Sequence, residues 1–253
     1  MVSFLTVNAE RSRHLEALVA FFEKTRPDVV CIQELMERDV PLFEKALGAR
    51  SVFSTTTRHP NDGNPGIHGI GIFSRLPILS SREALYAGDG VLREFDATDM
   101  HSAHATVNRM LLCADIGGEG GMYRIATTHF TWSAHGDPDE YQRADMKHLI
   151  GLLEGMGEFV LAGDFNAPRI HNDRPGEIFG MLAERYTDNI PARFTTSIDL
   201  DLHRASHIVS ERMDQKMVDA LFSTSVYAVS DVQMHSGLSD HLAVSAKISL
   251  ISR

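Results

Sequence analysis

The sequence predicts a single α/β domain in which strands stack as two sheets with helices outside. Three observations support this fold class. The first segments alternate between strand and helix, a Gly-rich turn later joins two strands as a hairpin, and no composition break, low-complexity tract or short repeat divides the 253 residues. Single α/β and β-sandwich domains reach this length, so we expect one domain over residues 1–253.

The N-terminal part has a β-α-β-α order. The short run 2–8 predicts a strand, and residues 11–24 have apolar side chains at helical spacing. The apolar, β-branched run 29–33 predicts a buried strand, because such runs are typical of strands covered on both faces. Residues 40–47 predict a second helix, which ends at Gly48.

The rest of the chain mixes hairpins with further β-α units. Further strands are predicted at residues 70–74, near 78, and at 103–114, 122–129, 159–163, 216–223, 227–235 and 242–250. Helices are predicted at residues 137–153 and 177–183, and irregular structure at 61–66 and 86–102.

Composition and charge limit the class of protein. The chain is 43% hydrophobic and 23% charged, with 24 basic and 34 acidic residues and a net charge of −10. This charge does not favour tight non-specific binding to DNA, although a local basic or metal-filled cleft remains compatible with it. Cys31 and Cys113 lie in apolar stretches, which favours two buried thiols over a disulfide and leaves both open.

No targeting or membrane segment is visible. No stretch approaches the ~20 apolar residues of a membrane span. The N-terminus has neither a basic start nor a long apolar region, so no signal peptide is predicted and a cytoplasmic location is the default expectation.

Polar side chains end or follow many of the apolar strands. One of them follows the strand in LAGDFNAPR, where a carboxylate and an amide are two positions apart. The set comprises Asn8, Glu34, His129, Asp164 with Asn166, Asp219, and Asp240 with His241. Each alone is a common turn or solvated residue. Together they predict a site, because bringing carboxylates and imidazoles together is costly without a function.

The oxygen ligands in this set suit a hard divalent cation. Glu34, Asp240 and Asn8 offer carboxylate and amide oxygens, which Mg²⁺ and Mn²⁺ accept while retaining several waters. The thirteen histidines raise a zinc alternative, but most are scattered singly and no HExxH or cysteine pair is present. With an activated water and donors for phosphoryl oxygens, the set meets the requirements of phosphoester hydrolysis.

Seven segments between residue 6 and residue 244 form a recognisable series: TVNAE, CIQELM, GIGIFSRLP, ATTHF, LAGDFNAP, KMVDALFST and GLSDHLAV. Their order and the specific pairing of GDFN with a later SDH resemble the endonuclease/exonuclease/phosphatase superfamily. This superfamily comprises metal-dependent hydrolases such as pancreatic-type deoxyribonuclease and abasic-site endonucleases.

The resemblance implies a four-layer α/β sandwich, with two packed, mostly antiparallel sheets and a site at one edge. It implies that Glu34 is the main Mg²⁺ ligand, with Asn8 and Asp240 close by. It further implies a catalytic set: Asp164 and Asn166 orient or activate water and bind a phosphate oxygen, His129 donates to the phosphoryl group, and His241 is a second catalytic imidazole oriented by Asp219. Whether Asp164 or His241 is the base, and whether one or two metals bind, stay open.

Two positions depart from the pattern of many relatives. Val7 replaces a Trp before the first Asn, and Ala220 replaces a Tyr after Asp219. Abasic-site enzymes usually carry that tyrosine together with a basic DNA-binding surface, so DNA repair is disfavoured.

Three further residues are candidates for substrate binding. Trp132, three residues after His129, is placed to stack on a base or an apolar group or to pack under its own loop. His68 precedes an apolar strand, and His171 follows the GDFN loop. Each of these histidines either faces the cleft or lies at the surface. Arg109 and Arg143 are candidates for phosphate contact. The alternative is that they are solvated, as isolated arginines usually are.

These observations favour a Mg²⁺-dependent phosphoesterase that hydrolyses a phosphodiester or phosphomonoester by in-line attack of water. The alternatives are a nuclease acting on DNA or RNA and, less favoured, a binding module of the same fold without activity. The partner expected is a phosphoester, either a small molecule or a nucleic acid, and no protein partner can be inferred. The acidic net charge favours a small phosphoester over long duplex DNA.

Overall fold

The computed structural model describes residues 1–60, 65–203 and 215–251. Two mixed six-stranded sheets pack face to face and helices cover their outer faces. This arrangement confirms the predicted four-layer α/β sandwich. Most of the loop predicted at 61–66 lies outside the described residues.

The first sheet contains both ends of the chain. Its strands, in spatial order, are β13 (Tyr227–His235), β14 (Ala243–Leu250), β1 (Val2–Asn8), β2 (Val29–Met36), β4 (Gly66–Ser74) and β3 (Arg50–His59). Only β1 and β2 are parallel; their neighbours pair antiparallel.

The second sheet contains the middle of the chain. Its order is β11 (Thr187–Asp188), β12 (Asp219–Ser223), β8 (Val160–Asp164), β7 (Gly121–His129), β6 (Arg109–Gly118) and β5 (Ile78–Ala87). Here β7 and β8 are the parallel pair. A separate short hairpin, formed by β9 (Ile170–His171) and β10 (Arg174–Pro175), follows β8 in the sequence.

The helices cover the two outer faces through separate apolar clusters. Phe22 of α1 (Leu15–Thr25) and Phe43 of α2 (Val40–Leu47) pack on the first sheet. The second sheet is covered by α4 (Glu140–Glu154) and α5 (Glu177–Ala183). A third cluster fills the space between the sheets. Each fully buried Phe or Leu contributes roughly 1.5–3 kcal/mol of transfer free energy, so these clusters fix the layers.

Several elements differ from the sequence prediction. The predicted strand 103–114 begins only at Arg109, because a short helix α3 (Met100–Ala105) precedes it, with the Asp99 side chain accepting from Ser102 N at 2.8 Å. Strand β3 was not predicted, since its Ser/Thr-rich sequence lacks an apolar run. Helix α4 begins after its cap Asp139 rather than at residue 137.

The close approach of β7 and β8 requires a glycine just before Asp164. Gly163 has φ +149°, and a Cβ there would lie 2.1 Å from the carbonyl oxygen of Thr128. Any larger residue would push the strands apart, so Gly163 places Asp164 at a fixed distance from the end of β7.

A buried hydrogen bond joins the two sheets beside the site. Gln33 Nε2 of β2 donates to Thr127 Oγ1 of β7 at 2.9 Å and to Thr6 Oγ1 at 3.2 Å. All three side chains are buried. Cys31 and Cys113 are buried and free, which rules out the disulfide. Among the described residues, no helix has the length and apolar character needed to cross a membrane.

Candidate functional site

The polar residues predicted at the strand ends meet at one edge of the sandwich. The ends of β1 and β2 from the first sheet face the ends of β7, β8 and β12 from the second. Asn8 Nδ2 donates to Asp164 Oδ2 at 3.0 Å and lies 3.3 Å from Glu34 Oε1, so one amide bridges carboxylates from both sheets. The site is therefore built where the two sheets pack together.

Glu34 lies inside β2, at a β-bulge. Its φ is +50°, and the pairing with β4 shifts register between Ile32 and Leu35. A bulge turns a side chain away from the regular alternation of the strand. Glu34 Oε2 accepts from Arg11 Nη1 at 3.0 Å. Burial raises the pKa of Glu34, while Arg11 opposes the shift and Asp240 adds to it.

Asp164 and Asn166 form a turn directly after β8. Asn166 has φ +50°, a conformation that asparagine tolerates better than most residues. Its backbone N–H donates to Asp164 Oδ1 at 2.8 Å, and its Nδ2 donates to the carbonyl of Phe130 at 3.0 Å. This geometry fixes the Asp164 carboxylate and leaves Oδ2 facing Asn8 and two imidazoles.

His241 is bound between two carboxylates. Its Nδ1 lies 2.7 Å from Asp219 Oδ2, and its Nε2 lies 3.8 Å from Asp164 Oδ2. Burial alone lowers the pKa of His241, but Asp219 and Asp164 outweigh it and raise the pKa well above 6.5. Burial raises the pKa of Asp164 to about 7, with His241 opposing the shift. The protonation of Asp164 and that of His241 are therefore linked.

His129 approaches the same carboxylate from the other side. Its Nε2 lies 3.5 Å from Asp164 Oδ2. Burial, followed by the positive charge of Arg109, lowers the pKa of His129 well below its usual value. His129 is therefore neutral at neutral pH and presents one N–H donor. The ring of His68 lies 6.3 Å from that of His129, and burial lowers the pKa of His68 to about 3.

The donor set fits a hard divalent cation. Glu34 and Asp240 offer carboxylate oxygens, and Asp240 is close enough to Glu34 to raise its pKa. The Asn8 amide nitrogen donates to Glu34 and Asp164, and Asn8 Oδ1 accepts from Glu10 N at 3.0 Å. The ligand atoms of Asp164, Asp219 and His241 also lie within 4.8 Å of one another. This buried acidic and histidine group could bind a metal.

A cavity opens beside these residues. It offers about 180 Å³ of accessible space, or about 750 Å³ when the open space at its mouth is counted. Glu34, His129 and Asn166 line it, together with Trp132, which is 51% exposed. The remaining wall residues are Arg11, Thr57, His59, His68, Phe95, Met100, Ala103, His104, Val107, Arg109 and Thr131.

The structure separates the three predicted substrate residues. Trp132 and His68 line the cavity. His171 is not among the lining residues; its Nε2 lies 2.7 Å from Asp137 Oδ1 at the surface.

Two arginines of the site were missed or misread in the sequence. Arg11 binds Glu34, and its signal was its place directly after the strand that ends at Asn8. For Arg109 a solvated position competed with phosphate contact in the sequence prediction; it is only 9% exposed and lines the cavity. Arg143 is solvated as expected and pairs with Glu177 at 2.6 Å.

Comparison with known proteins identifies the class of protein. Residues 5–241 match the model of the Endonuclease/Exonuclease/phosphatase family. Because the match covers most of its length, the chain belongs to this family. A comparison with curated proteins finds no match.

Solved structures share the fold at low sequence identity. An endonuclease/exonuclease/phosphatase from Beutenbergia cavernae has a TM-score of 0.77 and 16% identity, covering 98% of this chain and 71% of that one. The human Nocturnin catalytic domain has a TM-score of 0.72 and 15% identity, with 99% and 93% covered. A mannosyl-6-phosphatase from Bacteroides thetaiotaomicron has a TM-score of 0.67 and 12% identity, with 99% and 100% covered.

Proposed function

We propose that this chain is a Mg²⁺-dependent phosphoesterase that hydrolyses a small phosphodiester or phosphomonoester by in-line attack of water. One observation carries the proposal: the chain of contacts Asp219–His241–Asp164 lies beside Asn8 and Glu34, and Glu34 and His129 line a cavity. Family members are usually phosphoesterases, and the family generally uses divalent metals.

Glu34, Asp240 and Asn8 would bind the cation, which when bound supplies positive charge to the phosphoryl oxygens. Mn²⁺ is an acceptable substitute, because its preference for oxygen ligands is similar. The chain's own residues provide the remaining functions, and each role is assigned from the atoms that face Asp164 Oδ2.

Asp164 accepts the proton of the attacking water. Its Oδ2 is surrounded by the donors Asn8, His129 and His241, so it is the acceptor at the centre of the group. His129 and His241 donate to phosphoryl oxygens as negative charge builds up in the transition state. Asp219 binds Nδ1 of His241, so that Nε2–H faces the substrate. Asn166 contributes the second N–H of its amide, since Phe130 occupies only one.

A small substrate is supported by the shape and charge of the protein. The cavity beside Glu34 and His129 is a local concavity, which suits a small ligand. The net charge of −10 opposes long duplex DNA, which needs a broad basic surface. A nuclease acting on single strands or nicks is the competing outcome of the test.

Steady-state hydrolysis of p-nitrophenyl phosphate and bis-p-nitrophenyl phosphate, with Mg²⁺ or Mn²⁺ and with EDTA, tests the proposal. We expect metal-dependent turnover that Glu34→Gln weakens by raising the metal concentration needed for half-maximal rate. Glu177→Gln is the matched control, since Glu177 is exposed and distant from the cavity lining. No turnover of any phosphoester in a broad panel would refute the activity. Faster cleavage of plasmid than of every small ester would refute the preference for small substrates.

A further inference from the structure

Four aromatic rings form a continuous row in the cavity. The ring centroid of His129 lies 6.3 Å from that of His68, and the centroid of His68 lies 6.0 Å from that of His59. The ring of His59 in turn stacks on Phe95, with centroids 5.6 Å apart. All four side chains line the same cavity. The histidine that is proposed to contact the phosphoryl group is therefore continued by a wall of rings.

The rings next to His129 are fixed in place. His68 Nδ1 lies 3.2 Å from Thr56 Oγ1, and burial lowers the pKa of His68 to about 3, so its ring is uncharged at neutral pH. Phe95 N donates to the carbonyl of Arg58 at 2.8 Å, which places Phe95 beside the neighbouring His59. Rings held in this way present surfaces on which flat apolar groups stack.

Trp132 is held at the same cavity by its buried neighbours. Thr131 and Ser133 are both buried, the Thr131 side chain donates to Asp145, and the Thr131 carbonyl accepts from Gln142 Nε2 at 2.7 Å. The backbone on both sides is thus anchored, while Trp132 itself is half-exposed and lines the cavity. Its ring therefore does not pack under its own loop. Aromatic side chains of this kind are typical of the walls of small-molecule sites.

The apolar surface suits the organic group of an ester rather than its phosphoryl group. Met100 and Val107 line the cavity together with the rings. Phosphoryl oxygens need a cation or N–H donors, which Glu34 with its metal, His129 and Asn166 provide in the proposed function. Aliphatic and ring carbons offer neither. Every phosphoester carries an organic group next to the phosphoryl group, and this surface is available to bind it.

We infer that His59, His68, Phe95 and Trp132 form an aromatic wall that binds a flat aromatic group of the substrate, with Trp132 as a stacking residue. The substrate class is thus a phosphoester of an aromatic compound. A sugar phosphate fits less well, because its hydroxyl groups lose water against such a wall without gaining hydrogen-bond partners. This inference rests on the proposed phosphoesterase function and adds the recognition of the organic group.

Binding of three phosphonates, with Mg²⁺ present, tests the inference without turnover. Benzylphosphonate carries a ring beside a phosphoryl group that cannot be hydrolysed, methylphosphonate lacks the ring, and cyclohexylmethylphosphonate is apolar but not flat. We expect the calorimetric Kd of benzylphosphonate to be about 10-fold lower than that of methylphosphonate, as is typical of stacking on an aromatic side chain. Cyclohexylmethylphosphonate should bind more weakly than benzylphosphonate.

The fluorescence of the protein reports directly on the stacking residue. Trp132 is the only tryptophan of the chain, so the emission comes from its ring alone. Benzylphosphonate should protect this emission from quenching by acrylamide, because a stacked ring covers the indole. Methylphosphonate at saturation should leave the quenching unchanged.

Variants of the aromatic wall separate stacking from other effects. Trp132→Ala should remove most of the preference for benzylphosphonate over methylphosphonate, and Trp132→Phe should retain part of it. Phe95→Leu keeps an apolar side chain without a ring and should reduce the preference by a smaller factor. Leu79→Ala is the control, since it removes an exposed apolar side chain that does not line the cavity, and it should leave the preference unchanged. Circular dichroism checks that each variant is folded.

Steady-state hydrolysis of benzyl phosphate, adenosine 5′-monophosphate and mannose 6-phosphate distinguishes the sources of the ring. A preference over mannose 6-phosphate that depends on Trp132 supports the inference, and the better substrate shows whether the ring is a simple aryl group or a nucleobase.

Three results of the binding experiments would overturn the aromatic wall. They are equal Kd values for benzylphosphonate and methylphosphonate, equal Kd values for benzylphosphonate and cyclohexylmethylphosphonate, and an unchanged preference in both Trp132→Ala and Phe95→Leu. Hydrolysis of all three phosphate esters at similar kcat/KM would also overturn it and leave the phosphoesterase function standing. Ring-dependent binding without hydrolysis of any ester would contradict that function alone.

Discussion

His129 and His241 face the same carboxylate oxygen, yet their pKa values shift in opposite directions. Their Nε2 atoms lie 3.5 and 3.8 Å from Asp164 Oδ2, and both rings are largely buried. Burial lowers the pKa of each. At His241 the carboxylates Asp219 and Asp164 reverse the effect, whereas Arg109 reinforces it at His129. The neighbouring charges, rather than burial, therefore decide which imidazole is charged.

The site consequently has two halves. The acidic half comprises Asp219, Asp240 and His241, and the basic half comprises His68, Arg109 and His129. All three residues of the basic half line the cavity, and none of the acidic half does. The carboxylates that raise the pKa of His241 therefore lie outside the cavity lining, whereas the arginine that lowers the pKa of His129 lies within it.

Replacing the shared carboxylate should have the largest effect. Asp164→Asn removes the proton acceptor between the two halves while keeping the shape, so we expect kcat to fall by about 10⁴-fold. Folding should be retained, because the substitution is isosteric. Steady-state kinetics and thermal unfolding measured by circular dichroism check both statements. A folded Asp164→Asn protein with full activity would contradict the interpretation of the GDFN turn.

Replacing Asp219 in the acidic half should have the second-largest effect on kcat. Asp219→Asn removes the carboxylate charge that orients His241 and raises its pKa. We therefore expect kcat to fall by about 10³-fold with little change in KM. A parallel loss of affinity for a neutral ester would instead indicate that Asp219 shapes the cavity. Kinetics of bis-p-nitrophenyl phosphate separate the two results.

The basic half should show a smaller loss at His129. His129→Gln replaces one neutral donor by another with poorer placement, so a loss of about 10²-fold in kcat/KM is expected. His171→Gln is the matched control, because His171 does not line the cavity. Equal losses in the two variants would show that His129 has no specific role.

Replacing Asp145, which pairs with His104 at the cavity wall, should have the smallest effect. His104 lies 2.9 Å from Asp145 and stacks on Tyr141 at 4.2 Å, so its imidazole is bound away from Asp164. Asp145→Asn should change kcat less than about threefold and act mainly on KM, since it alters the wall rather than a donor to the phosphoryl group. A loss in kcat as large as that of Asp219→Asn would erase the distinction between the two pairs.

The acidic half and both histidines of the basic half were singled out in the sequence, whereas Arg109 was treated as an isolated arginine. Asp164, Asp219 and His241 all border apolar strands, and the ends of such strands meet at one edge of a sandwich. Arg109 has no such signal, because its burial depends on α3 and Phe95, which come from a stretch without periodicity. The register shift that turns Glu34 into the site is likewise a property of pairing between β2 and β4, which a single strand does not encode.

The bond between Gln33 and Thr127 links the motion of the site to that of the whole domain. Gln33 immediately precedes Glu34, and Thr127 lies two residues before His129, so separating the sheets breaks this bond and pulls the two functional residues apart. Amide hydrogens around both residues should therefore exchange with deuterium only through global unfolding. A ligand that contacts both sheets should slow this exchange throughout the core and not at the cavity alone.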